Sequence, residues 1–211
     1  MKSRFRGERN APFVDHKINE DVTILDNGKV NLYSIINAIE AVKNTPRTGW
    51  LLRGIPPTIA ETIALHMYEA AVYGLLLSLK LRDQGVNIDP YKTTSLIIVH
   101  DIAEAYTGDI IKWVSLKLGK IKREIEAIRK HISIEEIIKL VEEYYEGVTL
   151  ESRVAKIADL LATLTQARRY MRLGFNVNDI YERVKKEIAD YVERYREISS
   201  LKEILDSILT L

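Results

Sequence analysis

The stretch Ser95-Leu-Ile-Ile-Val-His-Asp-Ile-Ala-Glu-Ala-Tyr-Thr-Gly-Asp109 decides how the rest of the chain is read. An apolar helical run ends on the adjacent pair His100-Asp101, Glu104 follows one turn on, and Asp109 comes directly after a glycine. Setting an imidazole and a carboxylate side by side among apolar residues is costly unless something pairs with both. A divalent metal ion is the simplest such partner, because neutral imidazole and carboxylate both ligate one. Two further candidates are His66 upstream and Asp159 downstream, each inside another apolar helical pattern. The remaining sequence then reads as a scaffold that brings His66, His100, Asp101 and Asp159 together.

Working upstream, Thr58-Ile-Ala-Glu61 has the pattern of a capping box, which predicts a helix from there to about Asp83 with Gly85 as its stop. His66 lies within it, either as a core histidine bonded to a neighbour or as a ligand. The preceding segment, Pro46-Arg-Thr-Gly-Trp-Leu-Leu-Arg-Gly-Ile-Pro-Pro57, is a loop by its glycine and proline content. It reads as a connector with solvated arginines and a core tryptophan, or as a ligand-facing loop. In the second case Arg47 and Arg53 would bind phosphate through their planar forks and Trp50 would face a base or sugar. Leu32, Ile35, Ile36, Ile39 and Val42 recur at helical spacing before that loop. Residues 1–30 form a polar N-terminal extension, with either a small hairpin around Asn27-Gly28 or a plain loop.

Downstream, Asp89-Pro90 is a helix start, an N-cap followed by proline at the first helical position, and predicts a helix over 90–106 closed by Gly108. Glu104 is four residues from His100 and three from Asp101, which places it on their face. A helix beginning near Lys120 carries charges expected to form a solvated face. Ser133-Ile-Glu-Glu136 and Ser200-Leu-Lys-Glu203 are two more capping-box patterns. Between them runs a long helix from about Thr149 to Gly174 that carries Asp159, which pairs with Lys156 or lies on an exposed stripe, or else serves as a ligand. Another amphipathic helix starts near Asn178. The expected fold is all-α, a single-domain helical bundle of about seven to nine helices over residues 31–211.

Composition narrows the function classes. Thirty-one basic and 30 acidic residues leave a net charge of +1, which argues against a nucleic-acid polymer as partner. The chain has no cysteine, so disulfides, zinc-thiolate sites and cysteine nucleophiles are excluded. No stretch approaches the roughly 18 uninterrupted apolar residues of a membrane span. The basic start Met1-Lys-Ser-Arg-Phe-Arg6 is not followed by an apolar signal core. A cytoplasmic location is expected, and the abundance of Lys, Glu and Ile with few Gln points to a thermophile.

The ordered set His66, His100-Asp101 and Asp159 resembles the H…HD…D signature of the HD-domain metal-dependent phosphohydrolases. Within them the chain is most similar to the 5′-deoxynucleotidase (YfbR-like) branch. The stretches that carry the resemblance are Arg47-Thr-Gly-Trp-Leu-Leu-Arg53, Glu61-Thr-Ile-Ala-Leu-His66, His100-Asp-Ile-Ala-Glu104, Thr107-Gly-Asp109 and Lys156-Ile-Ala-Asp159, within about residues 31–175. It implies one divalent ion, Mn, Co, Ni, Fe, Zn or Mg, on His66, His100, Asp101 and Asp159. It implies proton transfer by Glu104, an arranging role for Asp109, and a substrate-side loop carrying Arg47, Trp50 and Arg53. The implied activity is release of phosphate from (deoxy)nucleoside 5′-monophosphates, by a homodimer or higher homo-oligomer. The alternatives are an HD phosphohydrolase acting on a nucleoside triphosphate, cyclic nucleotide or other phosphoester, and a non-catalytic metal- or nucleotide-binding module. Two departures from the pattern stand out: Leu65 where relatives carry an acidic residue, and Ile110-Ile-Lys-Trp113 where many carry a proline-rich segment.

Overall fold

The computed structural model describes residues 22–25, 28–111 and 119–210, so residues 1–21, Asp26 and Asn27 of the expected hairpin turn, the segment 112–118 and Leu211 lie outside the described residues. Two short strands, β1 (Val22–Leu25) and β2 (Gly28–Asn31), pair antiparallel with Leu25 opposite Gly28. The helices follow in order: α1 (Leu32–Asn44), the single turn α2 (Thr48–Leu51), α3 (Ile63–Asp83), α4 (Pro90–Val99) and the single turn α5 (Glu104–Thr107). Then come α6 (Lys120–His131), α7 (Glu135–Glu146), α8 (Leu150–Arg172), α9 (Asn178–Arg194), a 3-10 segment (Arg196–Leu201) and α10 (Lys202–Thr210). Among the described residues this is a helical bundle with eight helices of two turns or more. None of them is long and apolar enough to cross a membrane.

Helices α3 and α8 form the centre. In α8 the residues Val154, Ala155, Ile157, Ala158, Leu161 and Leu164 are all fully buried. They point in nearly every direction around the axis, as expected of a helix with neighbours on all sides. Helix α3 packs along α8 and α4, and α4 in turn touches α7 and α8. Close approach of α3 and α4 depends on Gly74: a Cβ there would overlap the Cδ1 methyl of the fully buried Ile97.

Local chemistry sets the helix ends, in several places differently from the sequence pattern. Asp89 caps α4 as expected, its carboxylate accepting from the amides of Tyr91 and Lys92 at 2.9 and 3.2 Å. The first capping box does not form. Helix α3 begins at Ile63, capped by the Thr62 hydroxyl, because the Glu61 carboxylate is drawn inward by Trp50. Ser133 does not cap α7 either. Its φ is +57° and its hydroxyl donates to the Arg129 carbonyl of the preceding helix. Ser200 lies in the 3-10 segment and donates to Gln84. The helix expected over 90–106 is interrupted after Val99, and the amides of His100, Ile102, Glu104 and Ala105 bond three residues back instead of four. That tighter winding swings His100 and Asp101 off the regular α-helical positions.

Candidate metal centre

His66 on α3, His100 and Asp101 in the turn after α4, and Asp159 on α8 converge in the middle of the bundle. One potential ligand atom from each of His66, His100 and Asp101 lies within 4.8 Å of the others. Asp159 Oδ1 stands 3.0 Å from His66 Nε2. Both histidines are buried, and their rings meet edge to face with centroids 5.7 Å apart.

Two of the four groups, His100 and Asp159, are held from behind, whereas His66 Nδ1 is buried with no hydrogen-bond partner among the described residues. His100 Nδ1 lies 2.6 Å from the Ile97 carbonyl, an arrangement that places the proton on Nδ1 and turns the lone pair of Nε2 inward. Nε2 is 3.1 Å from Asp101 Oδ2 yet makes no properly oriented hydrogen bond, and it is shut off from solvent. A buried nitrogen with its lone pair aimed at a carboxylate is disfavoured unless a cation lies between them. The donor set of two imidazoles and two carboxylates fits a divalent transition ion. Asp159 is braced at Oδ2 by the Tyr144 hydroxyl at 2.6 Å and by Lys156 at 2.7 Å. The Lys156 pairing and the turn of Oδ1 toward His66 thus occur together, on different oxygens.

The electrostatics follow from crowding. Burial disfavours the Asp101 carboxylate, yet His100, Lys120 and His66 hold it far below the usual range. Asp159 is likewise held well down against burial by Lys156, His66 and His100. For His100, burial acts downward, but Asp101, Asp159 and the Ile97 carbonyl carry its titration upward. Glu104 goes the other way. Burial, then Asp101 and Asp109, push its carboxyl well above the ordinary value, with Lys120 opposing. Tyr144, fully enclosed beside Asp159, keeps its proton far above the normal phenol range.

The loop after α1 meets the centre through Arg47 and Thr48. Arg47 is held by burial-opposing attraction to Glu61, Asp101, Asp109 and Asp159. Its guanidinium lies 3.6 Å from Glu61 and 3.4 Å from the Thr163 hydroxyl on α8. Asp109 anchors the same loop, accepting from the Thr48 amide while the Thr48 hydroxyl donates to the Asp109 carbonyl at 2.9 Å. Gly108, at φ +74°, makes the left-handed turn that brings Asp109 there.

Two of the expected substrate-side residues are placed elsewhere. Trp50 is 2% exposed, its indole N–H donating to Glu61 at 2.9 Å and its ring edge-on to Tyr170, so it is a core residue beneath Arg47. Arg53 turns outward to an ion pair with Asp179 at the start of α9. Two charges of α6 depart from the expected solvated face: Glu124 is buried and Lys120 half-buried beside Glu104, while Lys122, Arg123, Glu126, Arg129 and Lys130 are exposed. Tyr144, Lys120 and Glu61 were not legible as part of the site. Tyr144 shares the apolar period of Ile138 and Val141, and nothing separates Lys120 from other surface lysines in the sequence.

An all-helical bundle that gathers two histidines and two carboxylates around one buried point, with a glutamate and an arginine beside it, defines a class of helical metal-site proteins. A family model described as HD domain matches residues 39–196, and the chain belongs to that family. The chain is 30% identical over 155 residues to a Bos taurus protein named 5′-deoxynucleotidase HDDC2, covering 70% of this chain and 72% of that one. A fission-yeast protein named 5′-deoxynucleotidase hdd1 is 27% identical over 154 residues, 68% of this chain and 74% of its own. Among solved structures, a conserved hypothetical protein from Pyrococcus furiosus superposes with a TM-score of 0.76 at 31% identity, covering 85% of this chain and 99% of that one.

Proposed function

We propose that the protein is a metal-dependent phosphomonoesterase that releases phosphate from nucleoside 5′-monophosphates, with deoxynucleotides as the first class to test. The observation that carries this is the convergence of His66, His100, Asp101 and Asp159 with Arg47 and Glu104 beside them. Relatives named 5′-deoxynucleotidase support the substrate class.

A divalent ion held by His66, His100, Asp101 and Asp159 would supply Lewis acidity to a phosphoryl oxygen and to water. Arg47 carries a permanent charge toward the same point and meets the non-bridging oxygens of the phosphate as charge builds on them. Glu104, kept from water by its burial, exchanges a proton with the reacting oxygens. Water adds to phosphorus, the bond from phosphorus to the 5′ oxygen breaks, and that oxygen leaves as the protonated alcohol. The products are a nucleoside and inorganic phosphate. Asp109 and Glu61 hold the loop that carries Arg47, and Trp50 packs beneath it.

A second copy of the chain is the partner this reading assigns to the outer face of α3. Leu65, Tyr68, Val72 and Leu76 stand exposed there at spacings of three and four residues. A cytoplasmic location is part of the same reading. The test is phosphate release from a panel of deoxy- and ribonucleoside 5′-monophosphates with Mn²⁺, Co²⁺, Mg²⁺ or a chelator. Metal-dependent release is expected. Release only from triphosphates or cyclic nucleotides would move the assignment to another phosphoester, and no release from any of them would leave a binding module.

A further inference from the structure

Helix α6 brings a chain of enclosed polar groups to the back of Glu104 that the chemistry above does not use. Lys120 Nζ lies 2.6 Å from Glu104 Oε1 and 3.3 Å from Glu124 Oε1. Glu124 is fully buried, and its other oxygen accepts from the Tyr145 hydroxyl. Tyr145 packs edge to face on Tyr144, the residue that braces Asp159. Two consecutive tyrosines of α7 therefore each hold a carboxylate: one inside the metal centre, the other at the end of the Glu124–Lys120–Glu104 series.

Burying an ion pair costs desolvation of both partners, and a hydrophobic pair of similar volume is often as stable or more so. Stability alone is thus a poor reason for Lys120 and Glu124 to be enclosed here. A lysine ammonium fixed by a buried glutamate is, however, an effective way to hold one oxygen of a neighbouring carboxylate in place. It also stabilises the ionised form of that carboxylate against the like charges of Asp101 and Asp109.

We propose that Lys120, held by Glu124 and Tyr145, is the positioning residue for Glu104. It fixes one carboxylate oxygen so that the other is presented to the reacting atoms. Lys120 touches neither substrate nor metal; it acts through Glu104. The role in turnover rests on the phosphomonoesterase reading; the contact itself does not.

The experiment compares wild type, Lys120→Met, Lys120→Arg and Tyr145→Phe by steady-state phosphate release, Mn²⁺ calorimetry and ¹⁵N NMR of the lysine ammonium groups. For Lys120→Met, kcat falls about 10- to 100-fold, a part of the roughly 10²- to 10⁴-fold contribution of positioned proton transfer, while KM and Mn²⁺ affinity stay near wild type. Lys120→Arg keeps the cation and regains most of the rate, and Tyr145→Phe gives a smaller fall in the same direction. In the wild type, the Lys120 ammonium exchanges slowly with water, and Glu104→Gln shifts its resonance. An unchanged kcat in Lys120→Met overturns the proposal, as does a raised KM at constant kcat, which would put Lys120 on the substrate. A joint loss of rate and Mn²⁺ affinity that Lys120→Arg does not rescue also overturns it, since that is a general collapse of the centre. A wild type without turnover refutes the phosphomonoesterase reading instead. The NMR result then still decides the proposal: an ammonium that exchanges as freely as surface lysines sinks it.

Discussion

On the inner face of α3, His66 is fully buried and meets Asp159; on the outer face, starting one residue away, Leu65, Tyr68, Val72 and Leu76 stand in solvent. The usual assignment of polar groups to water and apolar groups to the core is reversed on both sides. The inner side bears the cost of burying charge because its groups are paired, and Asp159 and His100 are held from behind by Tyr144, Lys156 and the Ile97 carbonyl. The outer side leaves apolar area uncovered beside an ordinary surface ion pair, Glu69 with Arg169. Two faces of one helix thus mark two kinds of site: one closed around a small charge, the other open to a large surface.

The comparison can be broken in four places. The largest effect is expected at the inner face. Asp101→Ala removes a carboxylate from the centre and should lower phosphate release at least about a thousandfold, as several kcal/mol of transition-state stabilisation goes with the ion. Calorimetry should show the loss of Mn²⁺ binding in parallel. Next, Glu104→Gln keeps the shape but not the proton exchange, and a loss of about a hundredfold in kcat with Mn²⁺ affinity retained is expected. Rates near wild type would remove Glu104 from the chemistry.

The outer face is tested by Tyr68→Glu. Light scattering should find the wild type as dimers and this variant as monomers, with kcat per chain changed little because Tyr68 is exposed on the face away from the centre. An unchanged oligomeric state would take the dimer contact off α3. The smallest effect concerns the Glu69–Arg169 pair. Burial raises the Glu69 carboxyl, but hydrogen bonds from Arg169 and Thr165 outweigh it, leaving the group below its ordinary value of 4.5. A lowered folded value means that the stabilisation is present above about pH 4.5 and lost as pH falls through the folded value. Thermal melts from pH 7 to 3 should therefore show the wild type losing its advantage over Glu69→Gln only at the acid end.

The four converging side chains were legible in the sequence because polar groups inside apolar helices stand out against their neighbours. His66 is followed by Met67, and Asp159 is flanked by Ala158 and Leu160. What surrounds those groups was not, and the reasons are physical. Glu61 has the spacing of a capping residue, but a long-range partner, Trp50, offers its carboxylate a better place than the helix amides do. Lys120 and Glu124 have the i,i+4 spacing of a solvated pair, and only the packing of α6 beside α5 reveals that they are enclosed. Trp50 and Arg53 lie in one short loop and point to opposite environments, which no local pattern specifies. The break after Val99 was hidden as well, since Ile98, Val99 and Ile102 continue a helical period across it.

Gly74 gives the centre a mechanical address that lies outside it. The missing side chain there lets Ile97 press into α3, and the carbonyl of that same Ile97 holds the proton of His100. The aim of the His100 imidazole is therefore referenced to the spacing between two helices, the way a lens is referenced to its mount. One methyl group added at Gly74 would leave all four converging side chains in the sequence intact and still put the instrument out of focus.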